Sequence, residues 1–490
     1  MGHRILSAMR LGWFALVVAA LATAPWSIRA EGVSVAPTSK AAWSIDLGAT
    51  SSVLEVNPSP KSLWGIASQD GPATPGGAGA AVSAAPASFD LRNVGGQNYV
   101  TSVKNQGACG SCWAFATYGA MESDLLMAGG PSSDFSENNL KNRHGFDYGP
   151  CEGGHTWMST AYLSRLAGPG SEADDPYHAS DDRATAPTTI PRQRFLREVN
   201  YYDTAAEIKN AIMTVGGAYV SMYWDGAYYR SSDQTYFYGG ETNTNHAITV
   251  IGWDDNKATA GGTGAWLCKN SWGSGWGNAG YFWIAYQDTA ACKYAATFTT
   301  DPADTVDGVL FHDDYGDVTE VNSPWACNVF QPTEDARLKS VGFYTQQDAT
   351  GYTLRVYDDW SNGPTGLLAE LTGTIDQWGF HVLDLPDLLP LEAGDDFVIY
   401  LHLTNGGDYP QAIDYRYAAY NSNSTASAGE SYYSFDGTSW TDIYTWNQTA
   451  NFSIKAYTVA VPEPSVVVLG IVGLISLAVV RRRGRRDRTS

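Results

Sequence analysis

The sequence predicts an α+β protein, in which a region of mixed helices and strands is followed by an all-β region. The 490-residue length favours two to four domains. The 51 glycines, 29 tyrosines and 17 tryptophans are typical of β structure and irregular loops rather than helical bundles. Helical patterns lie in the first region, and short alternating strands lie in the second, as the next two paragraphs show.

Two helices are predicted in the first region. Four apolar residues recur at spacings of four, three and four: Ala114, Tyr118, Met121 and Leu125. This spacing gives one buried face of a helix over residues 111–128, and Gly129 and Gly130 end it. Residues 204–207 read TAAE, a capping box that opens a second helix ending near residue 215.

The second region, from about residue 305 to 458, predicts a β-sandwich. Apolar residues alternate with polar ones in three segments: Tyr352, Leu354 and Val356; Phe397, Ile399, Leu401 and Leu403; Phe452, Ile454 and Ala456. Turn sequences separate the strands, NGP at 362–364 and DG at 436–437. Short strands at this spacing indicate a sandwich. For five tryptophans of this region, packing in the core and stacking on a ligand are equal alternatives: Trp325, Trp360, Trp378, Trp440 and Trp446.

The N-terminus predicts a secretory signal peptide over residues 1–30. Arg4 and Arg10 precede an apolar core that is too short for a confident transmembrane helix, and Ala30 offers a cleavage site. Residues 31–86 contain little that could form a core, and positions 71–87 are almost wholly Gly, Ala, Pro and Ser. We therefore interpret 31–86 as a propeptide or linker.

A second targeting signal is predicted over residues 459–490. The sequence VPEP at 461–464 precedes an apolar, potentially transmembrane segment, 465–480, and a cluster of arginines follows. This order resembles the PEP-CTERM sorting signal. The resemblance implies an exosortase partner, export through the inner membrane of a Gram-negative bacterium, transient membrane anchoring, and a final place on the cell surface or in the extracellular matrix. The alternative is an ordinary single-span tail anchor, because a run of this length nearly spans a bilayer.

The acidity of the chain argues against nucleic acid as a partner. Its formal net charge is −21 at pH 7, which repels phosphate backbones. Acidic pairs such as Asp174-Asp175 and Asp313-Asp314 lack the spacing of known calcium loops. We expect no metal site and no cofactor.

Three segments carry the catalytic signal. Residues 106–115 read QGACGSCWAF, His246 follows 134 residues after Cys112, and Asn270 opens the sequence NSWGSGWG. These segments resemble the active-site sequences of papain-like cysteine peptidases, in which His and Asn lie ~130–150 residues beyond the cysteine. The resemblance implies a papain-like two-lobed fold over residues 87–301, with a helical left lobe, a β-rich right lobe and a cleft between them.

The resemblance also assigns the catalytic roles. Cys112 is the expected nucleophile, His246 its acid–base partner, and Asn270 the residue that orients the imidazole. Gln106 and the backbone N–H of Cys112 are expected to form the oxyanion hole. Trp272 is expected to shield the contact between Asn270 and His246 from water.

Further residues are assigned by the same resemblance. Gly153 and Gly154 are expected to bind the substrate backbone. Five residues are expected to line the pocket for the second residue before the cleaved bond: His155, Thr156, Ser221, Thr244 and Ala247. For His155, a plain polar position at the rim is an equal alternative. Cys109 and Cys151 match the family's usual disulfide. On weaker grounds, Cys268 and Cys292 could bridge neighbouring strands, which leaves Cys327 unpaired.

Together these patterns predict a secreted cysteine endopeptidase that cleaves protein or peptide substrates through a covalent acyl-enzyme. The region 302–458 resembles the lectin-like domain found behind some bacterial and archaeal papain-like peptidases, which implies a glycan as a possible ligand. The alternative function is a surface or matrix adhesion module, in which this domain binds glycan or protein and the peptidase lobe is secondary.

Overall fold

The computed structural model describes residues 53–57 and 85–461. The predicted signal peptide, most of the predicted propeptide, and the apolar segment 465–480 lie outside the described residues. Within the described part of the chain, no helix combines the length and apolarity needed to cross a membrane.

Among the described residues, helices occur only before residue 215, apart from single turns. The α-helices are α1 (Cys112–Met127), α2 (Glu137–Arg143), α3 (Thr156–Ser164) and α4 (Ala205–Thr214). Short 3₁₀ turns lie at Leu91–Asn93, Gly226–Tyr228, Ala303–Thr305 and Ile443–Thr445. Both predicted helices are confirmed as α1 and α4. The capping box is present, because the Thr204 side chain accepts from the Glu207 N–H and the Glu207 side chain accepts from the Thr204 N–H.

The strands of the first region follow and surround these helices. They are β1 (Ser88–Asp90), β2 (Arg194–Tyr202), β3 (Ala218–Met222), β4 (Tyr229–Arg230), β5 (Thr235–Tyr236), β6 (His246–Thr259), β7 (Gly262–Lys269), β8 (Tyr281–Ala285) and β9 (Ala295–Pro302). Strand β6 pairs with β3 and β7, both antiparallel. This pairing places the first residue of β6, His246, at the sheet end that faces the start of α1.

Helix α1 is buried on almost every side, where the spacing predicted one buried face. Thirteen of its 16 residues are buried, including the polar Thr117, Glu122 and Ser123. The helix packs against α2 and α3 on one side and against β3, β6 and β9 on the other. It is therefore a central helix between a helical layer and a sheet, and polar residues on it are paired inside the protein.

The second region is all β. Its strands are β10 (Gly308–Leu310), β11 (Thr319–Val321), β12 (Trp325–Phe330), β13 (Ala336–Thr345), β14 (Thr350–Trp360), β15 (Pro364–Ile375), β16 (Gly379–Leu391), β17 (Phe397–Thr404), β18 (Gln411–Asp414), β19 (Ser431–Ser434), β20 (Thr441–Asp442), β21 (Asn451–Phe452) and β22 (Lys455–Ala460). A six-stranded sheet, in the order β15-β14-β17-β12-β19-β20, forms one layer.

The opposite layer comes from β10, β22, β13 and β16, with a small sheet of β11, β18 and β21 beside it. The predicted apolar alternation is realised, because Leu354 and Val356 of β14 pack in one core with Val341 and Phe343 of β13. The α+β class, with an all-β C-terminal part, is confirmed.

The two regions share one continuous sheet of 13 strands among the described residues. The junction is antiparallel pairing of β16 with β2, with Gly379 opposite Asn200 and Phe380 opposite Val199. Sequence patterns suggested separate domains. The structure instead joins them through backbone hydrogen bonds and a mixed core, in which Tyr344 and Phe380 pack with Tyr201.

Candidate active site

Cys112 is the first residue of α1, at the helix end where the backbone dipole favours negative charge. Its side chain is 9% exposed. Backbone N–H groups of Trp113 and Ala247 lie within hydrogen-bonding reach of the thiol and favour its deprotonated form. Because Ala247 follows His246 directly, this contact brings the first turn of α1 to the start of β6.

His246 is held between an amide and an indole. Its Nε2 lies 2.8 Å from Asn270 Oδ1. The Trp272 ring stacks on the imidazole, with ring centroids 4.6 Å apart and an angle of 25° between the planes. Trp272 is in turn held by an edge contact from Trp224 at 4.7 Å. With one ring nitrogen on Asn270, the other is left for a second hydrogen-bonding partner.

Gln106 is positioned by contacts on both ends of its amide. Its Oε1 accepts a hydrogen bond from Ser271 Oγ at 2.6 Å. Its Nε2 donates to the Cys109 carbonyl at 2.8 Å, which uses one of its two hydrogens. The backbone N–H of Gln106 donates to the Ser271 carbonyl, and Tyr177 Oη donates to the Gln106 carbonyl, both at 2.8 Å. One amide hydrogen therefore remains for an oxygen that carries developing charge.

Burial disfavours the charged form of Cys112 and the charged form of His246, each considered separately. Desolvation raises the pKa of the Cys112 thiol to about 11, although the N–H groups of Ala247, Trp113 and Cys112 lower it. Desolvation lowers the pKa of His246 to about 4, although the contact with Asn270 raises it. A thiolate or an imidazolium by itself is therefore disfavoured here, and a charged form of either group requires an opposite charge beside it.

This mutual dependence predicts the titration of His246. In Cys112→Ala, where no thiolate can form, we expect a His246 pKa of about 4. In the wild-type protein, the thiolate is expected to raise that pKa by several units. Nitrogen-15 NMR of the imidazole across pH 3–9 measures both values. Equal pKa values in the two proteins would show that no ion pair forms.

Cys109 and Cys151 form a disulfide beside the site, with an S–S distance of 1.99 Å. The weaker prediction of a bridge between Cys268 and Cys292 is wrong, because both are free thiols, as is Cys327. Cys268 lies inside β7 with its side chain fully buried. A thiol buried there packs as a small apolar group and needs no covalent partner.

Gly153 and Gly154 have different surroundings. Gly153 has φ +105°, and a Cβ on it would meet nothing within 4 Å. A Cβ on Gly154 would lie 2.4 Å from the Trp113 ring. The first glycine therefore presents open backbone to an incoming strand. The second is required by the close packing of α1.

The predicted pocket residues are only partly brought together. Ser221 and Ala247 lie directly opposite each other on β3 and β6, and Thr244 precedes β6 with partial exposure. Thr156 is buried as the first residue of α3.

For His155, the structure contradicts a position at the rim. Its side chain is 5% exposed, so it is not a rim residue. The Tyr420 ring from the second region stacks on it at 5.7 Å and 15°, and Tyr420 Oη lies 3.3 Å from its Nε2. The second region thus covers His155. Sequence reasoning could not find this contact, because the two residues are 265 positions apart.

A buried charge cluster behind the site was also missed. Lys104 Nζ lies 2.8 Å from Glu137 Oε1, 2.5 Å from Asp134 Oδ1 and 3.5 Å from Glu122 Oε1. Burial by itself lowers the Lys104 pKa, but the carboxylates outweigh it and raise that pKa. Glu122 also accepts from the Phe135 N–H, which ties α1 to the segment before α2. In the sequence, this charge cluster was signalled only by the acidic residues Glu122 and Glu137, which lie in helices that the fold buries.

Residues 85–301 match the family model for the papain family of cysteine proteases, and residues 309–458 match that for a lectin-like domain. These residues are therefore similar to a papain-family cysteine protease domain followed by a lectin-like domain.

Individual relatives match one or both domains. Mouse cathepsin K is 35% identical over 212 residues, which are 42% of this chain and 62% of that protein. Chicken cathepsin K is 33% identical over 228 residues, 44% of this chain and 63% of that protein. The chain thus spans about six-tenths of the length of these relatives. The cysteine protease and lectin-like domains of Cwp84, a surface layer associated protein of Clostridium difficile, are similar in fold. That match has a TM-score of 0.69 and 24% identity, and it covers 77% of this chain and 89% of that one.

Replacing Gln106 by alanine tests the oxyanion role. We expect kcat for a peptide substrate to fall by about 10²–10³ because one donor to the developing oxyanion is lost. Alkylation of Cys112 should be much less affected, since it forms no tetrahedral oxyanion. The matched control is Gln193→Ala, an exposed glutamine in a loop, which should leave kcat unchanged. Equal kcat in both variants would contradict the role of Gln106.

Proposed function

We propose that this protein is an exported cysteine endopeptidase that hydrolyses peptide bonds through Cys112, His246 and Asn270. One observation carries the proposal. The imidazole of His246 is fixed by Asn270 at 2.8 Å, while the backbone N–H of the next residue reaches Cys112 at the start of α1. The matching domain and the cathepsin relatives support it.

The residues define a two-step reaction. The Cys112 thiolate attacks the substrate carbonyl carbon, and the new oxyanion accepts hydrogen bonds from Gln106 and the Cys112 backbone N–H. As the C–N bond breaks, the His246 imidazolium gives its proton to the leaving amine. His246 then takes a proton from water, which attacks the thioester and releases the acid and the thiolate.

Labelling with the epoxide inhibitor E-64 tests this proposal. The purified chain is titrated with inhibitor, the adduct is located by peptide mass mapping, and casein digestion is followed in parallel. We expect one equivalent on Cys112, with digestion lost in proportion. Labelling at Cys268, Cys292 or Cys327, or digestion that survives full labelling of Cys112, would refute the proposed nucleophile.

Substrate backbone is expected to bind along Gly153. The space beside its Cα is open, so we propose that an extended peptide approaches the backbone there. Ser221, Ala247 and Thr244 are the residues that remain available to contact the second side chain before the cleaved bond. We propose that His155 affects this preference through Tyr420, rather than through an open pocket wall.

Adhesion through the lectin-like domain is a second candidate function. The observation that favours it is an aromatic face on the outer side of the six-stranded sheet. Trp360 stacks on Tyr432 at 3.9 Å, Trp325 stacks on His402 at 4.3 Å, and Trp440 contacts the Trp360 ring edge. Aromatic rings of this kind pack against sugar rings. Binding of the Cys112→Ala chain to a glycan panel, lost on Trp360→Ala, would support it.

Export is proposed from the sequence patterns at residues 1–30, which lie outside the described residues, and at 459–490, of which the structure describes only 459–461. The C-terminal pattern favours processing by an exosortase and release to the surface or matrix of a Gram-negative cell. Mass spectrometry of the protein from its native host tests this. A mature chain that retains Arg481–Ser490 would exclude processing at the sorting signal.

A further inference from the structure

Residues 53–57 lie as an extra strand on the edge of β11 in the second domain. Val56 pairs antiparallel with Val321. The Asn57 N–H donates to the Glu320 carbonyl at 2.8 Å, and the Asn322 N–H donates to the Glu55 carbonyl at 3.1 Å. These residues belong to the segment predicted to be a propeptide or linker. They contact the lectin-like domain, more than 260 residues away in sequence.

Side-chain hydrogen bonds between the segment and the domain reinforce this backbone pairing. Asn322 Oδ1 accepts from the Glu55 N–H at 2.9 Å, and Asn322 Nδ2 donates to the Val53 carbonyl at 3.2 Å. Asn57 Nδ2 donates to the Glu320 carboxylate at 2.7 Å. The Asn322 side chain thus forms hydrogen bonds with the peptide backbone on both sides of Leu54. These contacts require an extended strand, but they do not depend on most of its side chains.

One side chain of the segment provides an apolar anchor. Leu54 is 5% exposed and belongs to the domain core that contains Val321 and Ile413. Its neighbour Val53 is 64% exposed. Leu54 is therefore a residue of the predicted propeptide or linker that does enter a core. The arrangement is β-strand addition, in which backbone bonds give affinity and a side-chain pocket gives selectivity.

We propose that the β11 edge is a peptide-strand-binding site for an extended segment with a leucine-sized side chain, occupied in the intact chain by residues 53–57. Occupancy depends on the covalent link to the peptidase domain through residues 58–84. A tethered segment faces its site at an effective concentration in the mM range, whereas a free peptide loses translational and rotational freedom on binding. Cutting the link therefore releases the segment and opens the site.

Hydrogen exchange of the full chain carrying Cys112→Ala tests the docking without relying on peptidase activity. We expect protection of the Asn322 and Asn57 amides, because both donate across the strand pair. Leu54→Asp should remove this protection. Val53→Asp adds the same charge one residue away on an exposed side chain and should keep it. Unprotected amides in the parent chain, or equal protection in the two variants, would overturn the proposed docking.

A cut within the link tests the tether. A site for a sequence-specific protease is placed among residues 71–84, and the cut protein is diluted to about 10 µM, some 100-fold below a mM effective concentration. We expect Asn322 exchange to become about 100-fold faster. A synthetic peptide of residues 51–59 at about 1 mM should restore protection, and the same peptide with Leu54→Asp should not. Protection that persists after the cut would overturn the dependence on the tether, and failure of the parent peptide would overturn the site.

Discussion

Replacing Cys112 by alanine is expected to abolish peptide hydrolysis and to leave the protein folded. Loss of the nucleophile in a catalytic triad lowers kcat by about 10⁶, because the remaining members act only through it. Although the residue is only 9% exposed, the change removes a single sulfur atom, so little packing is lost. Casein digestion and thermal unfolding measure the two effects.

The matched control is Cys268→Ala. Cys268 is a free, fully buried thiol in β7, and it makes none of the contacts described for His246. Its replacement removes the same sulfur from a more tightly packed place, so we expect a stability loss at least as large with activity retained. Activity lost in Cys268→Ala and retained in Cys112→Ala would reverse the assignment of the nucleophile.

Replacing Lys104 by methionine is expected to lower the free energy of unfolding by about 3–5 kcal/mol. Breaking a buried ion pair from one side leaves uncompensated charge in a water-poor place. Here the carboxyl groups left behind are those of Glu122 and Glu137, each 1% exposed, with Lys269 as a remaining neighbouring cation. Burial already raises the pKa of Glu137 in the presence of Lys104. Without the lysine, protonation of a carboxylate is expected at higher pH still. Urea unfolding at pH 7 measures the loss.

Lys209→Met is the control for this change. Lys209 pairs with Asp255 at 2.6 Å, but that carboxylate is 39% exposed. Surface pairs contribute about 0–1 kcal/mol, so the same substitution should have a small effect there. Similar losses in the two lysine variants would show that the buried cluster is not a special source of stability.

Local sequence predicted two of the four α-helices among the described residues, α1 and α4, because the causes of these helices lie within a few residues. The capping box at Thr204 and Glu207 is a contact between positions three apart, and it opens α4 as expected. The helix over residues 111–128 was predicted within one residue at each end. The burial of this helix on almost every side was not predicted, because the spacing of apolar residues does not show that a second layer covers the polar face.

The same division applies to the site. The segments around Cys112, His246 and Asn270 could be recognised in the sequence, because each of these residues has distinctive neighbours in the chain. Their approach to one another depends on the pairing of β3, β6 and β7. Ser271 was overlooked although it adjoins Asn270, and its hydroxyl fixes the Gln106 amide.

The sequence by itself determined the two-domain composition, the α+β class, the principal helices and the residues that resemble a cysteine-peptidase site. These are properties of neighbours in the chain. The tertiary structure alone decided that β16 continues the peptidase sheet, that Tyr420 covers His155, and that Leu54 enters the core of the second domain. Each of these contacts joins residues more than 170 positions apart. Sequence patterning reports which side chains need burial, whereas only the assembled fold determines which surface buries them.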